Sequence, residues 1–470
     1  MTSSISRRDA IRASAAGAFG IAVAGSVDAI SAPGAAAMTR RSTGYGALVT
    51  DPARVLSLPP GFSYKIVAQT GVSLLESGEP TPSDPDGTAV FERDGQFVLV
   101  NNHEVGGSEP FGVPNLAGLT YDPGARGGTT NIVVDGSGNR VTEYVSLAGT
   151  HNNCAGGLTP WGTWITCEET EQRSGGRFVY DHGWCFEVDA FDRDANRDPV
   201  PLKFLGRFAH EAISLDPDDN RIYLTEDANG PHGLYYRWTP PAGFTGGKGA
   251  LRELALSENG DTAGTLEAMV CSKGSKPIAD LSEAVHTGTR YKVEWVEVPD
   301  RLATSVSVRK QFLASEVTGS RKLEGAYYAD GNHFFVASFA RDSDGSRNEH
   351  DGQVWEYDPK SQSVTLTTIF GVNPDPDADT DYDGPDNIVV DPNGGLILAE
   401  DGDGIQHLVG ITAAGKSYPM ARNELVGSNE FTGPTFSADG QTLFANVQDP
   451  GHVFIITGPF HGPGTPSNSR

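Results

Sequence analysis

Basic residues are scarce in this chain: 35 Lys and Arg face 61 Asp and Glu, a formal net charge of -26. A phosphate backbone is held by clustered cations, so this surface repels nucleic acid and excludes that partner class. Cysteine is scarcer still. Cys154, Cys167, Cys185 and Cys271 are too few for a disulfide framework in 470 residues, although one pair can be bridged outside the cell, and a thiolate can instead serve a metal. Long apolar runs are missing as well. Hydrophobic residues make up 37%, enough for a large core, but the one moderately apolar stretch near the start, Ala13 to Val27, is too short and weak for a stable membrane span.

What is abundant is turn chemistry. The 58 Gly and 30 Pro are spread along the whole length, as many short strands joined by tight turns require. The acidic surplus supplies hard oxygen ligands for a cation such as Ca²⁺, or simply keeps the protein soluble. At the N-terminus, Ser6-Arg7-Arg8 ahead of the short Ala/Gly-rich segment has the form of a twin-arginine export signal, and the small residues at 32 to 37 suit cleavage. The sequence therefore divides into a signal peptide and spacer at 1–37 and a single domain at 38–470. The protein is expected to use the twin-arginine translocation machinery, to reach the periplasm or the extracellular space without stable membrane insertion, and to work as a monomer.

One pattern recurs: an Asp- or Gly-containing turn, a run of β-formers, then acidic or amide residues. Asp94-Gly95 leads to Asn101-Asn102-His103-Glu104, Asp216 and Asn220 to Glu226-Asp227, and Asp391 and Gly394 to Glu400-Asp401. Asp439-Gly440 leads to Asn446-Val447-Gln448, Asp330-Gly331 leads to Ser338, and a less regular copy runs from Gly162 to Glu168-Glu169. Such units read as hairpins. Six of them, unequally spaced, predict an all-β fold: a six-bladed β-propeller with long inter-strand insertions. Equivalent strands of a propeller approach a shared axis, so Glu104, Glu169, Asp227 and Asp401, each just beyond such a strand, are expected to line a metal site in the central channel. Strand-terminal acids that merely face solvent are the simpler alternative.

Three segments concentrate chemistry. Asn153-Cys154-Ala155-Gly156-Gly157 presents a thiol before two glycines, and a thiolate prefers iron, copper or zinc to calcium. His210-Glu211 offers an imidazole and a carboxylate. Lys322 and Glu324 share one face of an extended segment, and can meet either as an anion clamp beside a ligand or as a surface ion pair.

The stretches Gly127-Gly128-Thr129-Thr130-Asn131, Asn153-Cys154-Ala155-Gly156-Gly157 through Thr166-Cys167-Glu168-Glu169, His210-Glu211, Asp386-Asn387-Ile388 and Glu430-Phe431-Thr432-Gly433-Pro434 resemble those of PhoX-type alkaline phosphatases. The resemblance runs in order from about residue 50 to about residue 455. It implies a six-bladed propeller exported by the twin-arginine route, with Fe³⁺ (two ions) and Ca²⁺ (three ions) in the channel. It further implies Cys154 as an iron ligand and Glu169, Glu211, Asp227, Glu324, Asp386, Asp401 and Glu430 as ligands of the iron and calcium ions. Asn131 would contact the substrate phosphate. This chain departs from the family at Lys322, where an arginine is usual, so a point charge replaces a bidentate fork.

The function expected is that of a secreted metal-dependent phosphomonoesterase releasing inorganic phosphate from small phosphate ester substrates, with Lys322 and Asn131 as catalytic donors. Two alternatives stand beside it. A calcium-dependent propeller lactonase-type hydrolase would need Glu, Asn and Asp around one Ca²⁺ but no thiolate, and a non-catalytic calcium-binding extracellular propeller would hydrolyse nothing.

Overall fold

The computed structural model describes residues 44–392, 394–425 and 430–460; the expected signal segment at 1–37 lies outside them. Among the described residues the α-helical content is one short element, Ala250–Ala255, and the rest is built from antiparallel strands and their loops. Among the described residues no helix is long and apolar enough to cross a membrane.

Four of the sheets formed by the described residues are built on a meander in chain order. Pro85–Arg93, Gln96–His103, Gly127–Val134 and Arg140–Thr150 form one; Asn153–Leu158, Thr163–Glu168 and Cys185–Asp189 form the next; Pro385–Val390, Leu396–Glu400, His407–Ile411 and Ser417–Asn423 form another, edged by Leu56–Ser57. Phe431–Phe436, Thr442–Val447 and His452–Thr457 make the last, closed by the early strand Ser63–Gln69. That closure ties one end of the folded chain to the other, with Ser63 opposite Thr457.

The expectation of separate blades is met only in part. The meanders beginning at His210–Leu215 and Leu323–Ala329 belong to one eleven-stranded sheet, because Arg290–Glu297 pairs with Thr265–Lys273 on one side and with Ser363–Phe370 on the other. Among the described residues the strands thus form five sheets in a propeller-like arrangement. The physical reason is the insertion after residue 273, which supplies a strand long enough to bridge the outer edges of two meanders.

Apolar side chains fill the gaps between neighbouring sheets. Val389, Ile397, Phe431, Leu443 and Phe454 pack one such layer, and Ile165, Phe204, Leu224 and Trp238 pack another. Both faces of most strands are covered, which accounts for continuous apolar runs such as Phe97 to Val100. Each fully buried Leu, Ile, Val or Phe contributes about 1.5–3 kcal/mol.

The first strands of the meanders, Pro85–Arg93, Asn153–Leu158, His210–Leu215, Leu323–Ala329, Pro385–Val390 and Phe431–Phe436, touch one another in that order and the last touches the first. They form a closed inner ring. Every one of these strands carries a β-bulge near its start. Pro85 pairs with His103 and Thr88 with Asn101, so Asp86 and Gly87 together oppose Asn102; the same count sets Cys154 and Ala155 against Cys167, Glu211 and Ala212 against Thr225, Glu324 and Gly325 against Val336, and Asp386 and Asn387 against Ala399. A bulge re-aims the side chain it carries. In these five strands the first bulged residue is an acid or a cysteine, and in Phe431–Phe436 it is Gly433.

The ring is tight at these bulges. A Cβ added to Gly325 would lie 2.8 Å from both the Cα of Asn387 and the carbonyl oxygen of Asp386, in the next inner strand. We predict that Gly325→Ala destabilises the protein by about 1–3 kcal/mol, the usual cost of overpacking. Urea unfolding measures this, and an unchanged midpoint would show that the inner strands have room to spare.

Candidate metal centre

Two sets of side chains converge inside the ring. The bulges deliver Asp86, Cys154, Glu211, Glu324 and Asp386. The residues that follow the second strands of the meanders deliver Glu104, Glu169, Asp227, Asp401 and Gln448, and Glu430 arrives just ahead of the last inner strand. The short connection across each hairpin brings these strand ends together although the residues lie far apart in sequence.

Three groups of ligand atoms lie within 4.8 Å of one another: Asp86, Glu104 and Cys154; Cys154, Glu169 and Glu211; and Glu211, Glu324 and Asp386. They share Cys154 and Glu211, so the groups run together as one continuous cluster. The Cys154 Sγ stands 3.8 Å from Asp86 Oδ2. The Gln448 amide donates to Asp86 at 2.9 Å and to Glu104 at 2.7 Å, and Asn152 donates to Glu104 at 3.4 Å. Lys322 brings a positive charge, with Nζ 3.2 Å from Glu324 Oε1 and 3.8 Å from Asp227 Oδ2. Its backbone sits at φ 41, a left-handed turn that sets the side chain on the same side as Glu324.

The electrostatics follow from this crowding. Burial, then the nearby acids, raises the carboxyls of Asp86, Glu169, Glu211, Glu324 and Glu430 well above the ordinary range. Burial followed by the charge of Asp401 pushes Asp386 up to about 8. The Cys154 thiol is raised by burial and then by Asp86 and Glu211. Lys322 moves the opposite way from a buried amine: Glu324 outweighs burial, and Asp227, Asp401 and Asp386 add to it, so the ammonium is held charged. One ammonium leaves most of the acids uncompensated.

Bound cations would resolve this imbalance. The Asp86 Oδ1 and Glu211 Oε1 atoms are buried without a hydrogen-bond partner, the condition of a carboxylate oxygen prepared for a metal. Hard oxygens with one thiolate suit a mixed set, with a thiophilic transition metal beside calcium-like ions. The donor chemistry therefore fits both kinds of ion.

A further layer holds the acid pairs in place. In Glu168-Glu169, Glu226-Asp227 and Glu400-Asp401 the second acid joins the cluster, and the first turns away onto a basic side chain. Glu168 meets His182 Nδ1 at 2.6 Å, Glu226 meets Arg309 at 2.8 Å, and Glu400 meets His407 Nδ1 at 2.8 Å. Glu168 also accepts from the N–H groups of His151, Gly183 and Trp184. Because adjacent residues of a strand point to opposite sides, fixing the first acid aims the second.

The structure brings Cys154, Glu169, Glu211, Asp227, Glu324, Asp386, Asp401, Glu430 and Lys322 together. Lys322 is not an isolated surface ion pair. Asn131 is placed elsewhere: its amide donates to the carbonyl of Ala190 at 2.9 Å and to Tyr144 at 3.4 Å. Its strand is third in its sheet, two strands out from the ring, so the expected phosphate contact is not carried forward. His210 packs on Phe208 and bonds the Gly206 carbonyl, leaving Glu211 alone at the centre. Arg321 does not supply the missing guanidinium, since it is buried against Asp344 at 2.6 Å. Asp86, Glu104 and Gln448 were absent from the ligand set implied by the resemblance. Pro85-Asp86-Gly87 has the same form as Leu323-Glu324-Gly325, which is the signal that finds Asp86; Gln448 stands in register with Glu104.

The family described as alkaline phosphatase PhoX matches this chain over residues 43–143 and 136–451. No curated protein matches it in sequence. Among solved structures, it resembles the gluconolactonase XC5397 from Xanthomonas campestris with 12% identity over 88% of this chain and 98% of that one, at a TM-score of 0.42. It also resembles the holo form of the pyranose dehydrogenase PQQ domain from Coprinopsis cinerea, with 11% identity over 87% and 98%, at 0.39. A protein of unknown function from Bacteroides thetaiotaomicron shares 8% identity over 84% and 76%, at 0.43.

The clamp at His407 has a pH signature. Burial opposes its charge, but the hydrogen bonds it donates to Asp379 and Glu400 win and push it up to about 9. A raised value means that the clamp's contribution is complete below the unfolded value of about 6.5 and is lost as pH rises through 9. We predict that His407→Gln costs about 3 kcal/mol at pH 6, and that the gap to the parent closes toward pH 10. Unfolding midpoints of both proteins across that range check it; a gap that is flat with pH would mean the imidazole is neutral.

Proposed function

The chain belongs to the alkaline phosphatase PhoX family, and from that premise we propose that it is an exported, metal-dependent phosphomonoesterase acting on small organic phosphate esters. The observation that carries this reading is the ring of carboxyls around Lys322 with Cys154 among them. A site that hydrolyses a dianionic ester needs excess positive charge at the phosphoryl oxygens, and these acids are the means of concentrating it. When bound, the ions would neutralise the phosphoryl oxygens and act as Lewis acids toward the ester. Cys154 would hold iron, and Glu169, Glu211, Asp227, Glu324, Asp386, Asp401 and Glu430, with Asp86 and Glu104, would complete the set for two ferric and three calcium ions.

The protein's own groups would then orient the substrate. Lys322 is the natural donor. Its side chain is 35% exposed, so the ammonium can reach a ligand while Glu324 and Asp227 keep it charged. It offers a point charge where the usual arginine would grip two oxygens. The Gln448 and Asn152 amides, which hold Asp86 and Glu104, fix the carboxylates on the opposite side of the cluster. Cys154 favours this reading over a calcium-only lactonase, which has no use for a thiolate.

The finer parts of the reading go together. Counting the two meanders of the eleven-stranded sheet as two blades gives a six-bladed propeller. The twin arginines Arg7-Arg8 would direct a folded, metal-loaded monomer to the periplasm or beyond, where phosphate esters are met.

Three measurements test it. Purified protein should contain iron and calcium and hydrolyse p-nitrophenyl phosphate at alkaline pH, with calcium chelation stopping turnover and added calcium restoring it; robust turnover after all metal is removed would exclude the mechanism. Cys154→Ala should lose iron and activity together, and full iron content in that variant would remove Cys154 from the ligand set. Lys322→Ala should cost about 10²–10³ in rate with metal content unchanged, the loss typical of one charge-stabilising donor. Lys322→Arg should keep most of the rate or raise it, whereas an alanine variant as fast as the parent would give Lys322 a purely structural place.

A further inference from the structure

Cys167 and Cys185 stand directly opposite each other on the antiparallel strands Thr163–Glu168 and Cys185–Asp189. Both are fully buried, and their Sγ atoms lie 3.6 Å apart. Their place in the ladder decides what this closeness permits. The next pair carries the ladder bond: the Glu168 N–H donates to the Trp184 carbonyl at 3.0 Å, while the Cys185 carbonyl turns outward and accepts from the Leu202 N–H at 2.9 Å. Hydrogen-bonded and non-hydrogen-bonded pairs alternate along an antiparallel ladder, so Cys167 and Cys185 form a non-hydrogen-bonded pair. That is the type whose Cα atoms come within about 4.5 Å and whose side chains lie closest, a separation inside the range a disulfide spans.

The other cysteines are set apart. Cys154 belongs to the acid cluster, and Cys271 packs with Tyr291, Leu281 and Met269. Cys167 and Cys185 face an apolar layer that includes Phe204 and Phe208, where the metal-centre chemistry has no use for a thiol. The segment between them, residues 168–184, carries much of one side of the site: Glu169 of the cluster, Glu168 with its His182 clamp, and Glu171, which meets Arg309 at 2.8 Å.

We propose that Cys167 and Cys185 become a disulfide when the chain stands in an oxidising compartment, and that this bond staples the base of the 168–184 loop beneath Glu169. One cysteine thiolate attacks a small or protein disulfide, RS–SR, and releases RS⁻; the second thiolate attacks the mixed disulfide and releases another RS⁻. The two cysteine sulfurs are oxidised, the external disulfide is reduced to two thiols, and the two cysteine protons end on them. Because both sulfurs are buried in the folded chain, exchange takes place during local opening of this layer. The closed loop restricts the unfolded chain and so favours the folded one. None of this depends on the phosphatase reading.

The test is differential alkylation. The full chain is exported into an oxidising compartment, recovered without reductant, denatured and treated with one alkylating tag; it is then reduced and treated with a second tag of different mass. Sequencing of peptide fragments assigns a tag to each cysteine. The expected result is the second tag on Cys167 and Cys185, and the first on Cys154 and Cys271. Cys185→Ser should shift Cys167 to the first tag. First-tag labelling of Cys167 and Cys185 in the parent would overturn the proposal, as would a second tag on Cys154 or Cys271, or a second tag on Cys167 that persists in Cys185→Ser. Activity is not read in this experiment, so its outcome is separable from that of the phosphatase assays.

Discussion

Like charges held at one axis are the constraint on which this structure turns. Asp86, Glu104, Glu169, Glu211, Asp227, Glu324, Asp386, Asp401 and Glu430 crowd one space, in which Lys322 meets Glu324 and Asp227. Carboxylates so placed repel one another and lose hydration, and each alone would take up a proton instead. A fold that gathers them anyway is stable in ionised form only when cations share the space. The affinity for multivalent ions and the strain of assembling the acids are two sides of one free energy, linked through the mass action that stabilises any bound state.

The scaffold meets this constraint by repetition. An inner strand enters, its bulge turns one side chain toward the axis, the hairpin returns, and the residue after the second strand turns another the same way. A regular ladder would alternate its side chains between the two sheet faces and leave them packed between blades; the bulge is what redirects them. Behind the axis, His182, Arg309 and His407 hold the acids that precede Glu169, Asp227 and Asp401. Those pairs are buried and costly to break singly, which makes them suited to fixing direction rather than to adding net stability.

Lys322 occupies the least regular point of this scheme. It lies one residue before an inner strand, in a left-handed turn at φ 41, and its side chain is half-open to solvent. The neighbouring Arg321 is committed to Asp344, so the chain presents an ammonium and not a guanidinium at the mouth. A compact charge on a flexible stem tolerates different positions of a bound anion, while a fork demands one geometry. A lysine at this place would trade bidentate grip for reach toward a bound anion.

The local sequence was enough for the fold class and for much of the site. Asp-Gly turns and β-rich runs are short-range signals, since a turn type and a strand preference are set by a few neighbouring residues, and repetition put Glu104, Glu169, Asp227 and Asp401 in register before any coordinates. The spacing of Lys322 and Glu324 likewise predicts their shared face, because two residues apart on an extended chain is a local relation. What required the tertiary structure was every relation across strands. Asp86 shares the acid-Gly form of Glu324-Gly325 in the sequence, but only its bulge places it at the axis; Asn131 loses its expected role because its strand lies outward of the ring; two meanders join because Arg290–Glu297 reaches both edges. The cysteine pairing is the sharpest case. Four cysteines allow several pairings, and the choice rests on which two sit opposite at a non-hydrogen-bonded position of a ladder, a register fixed by packing on both faces of the sheet and written in no single stretch of the chain.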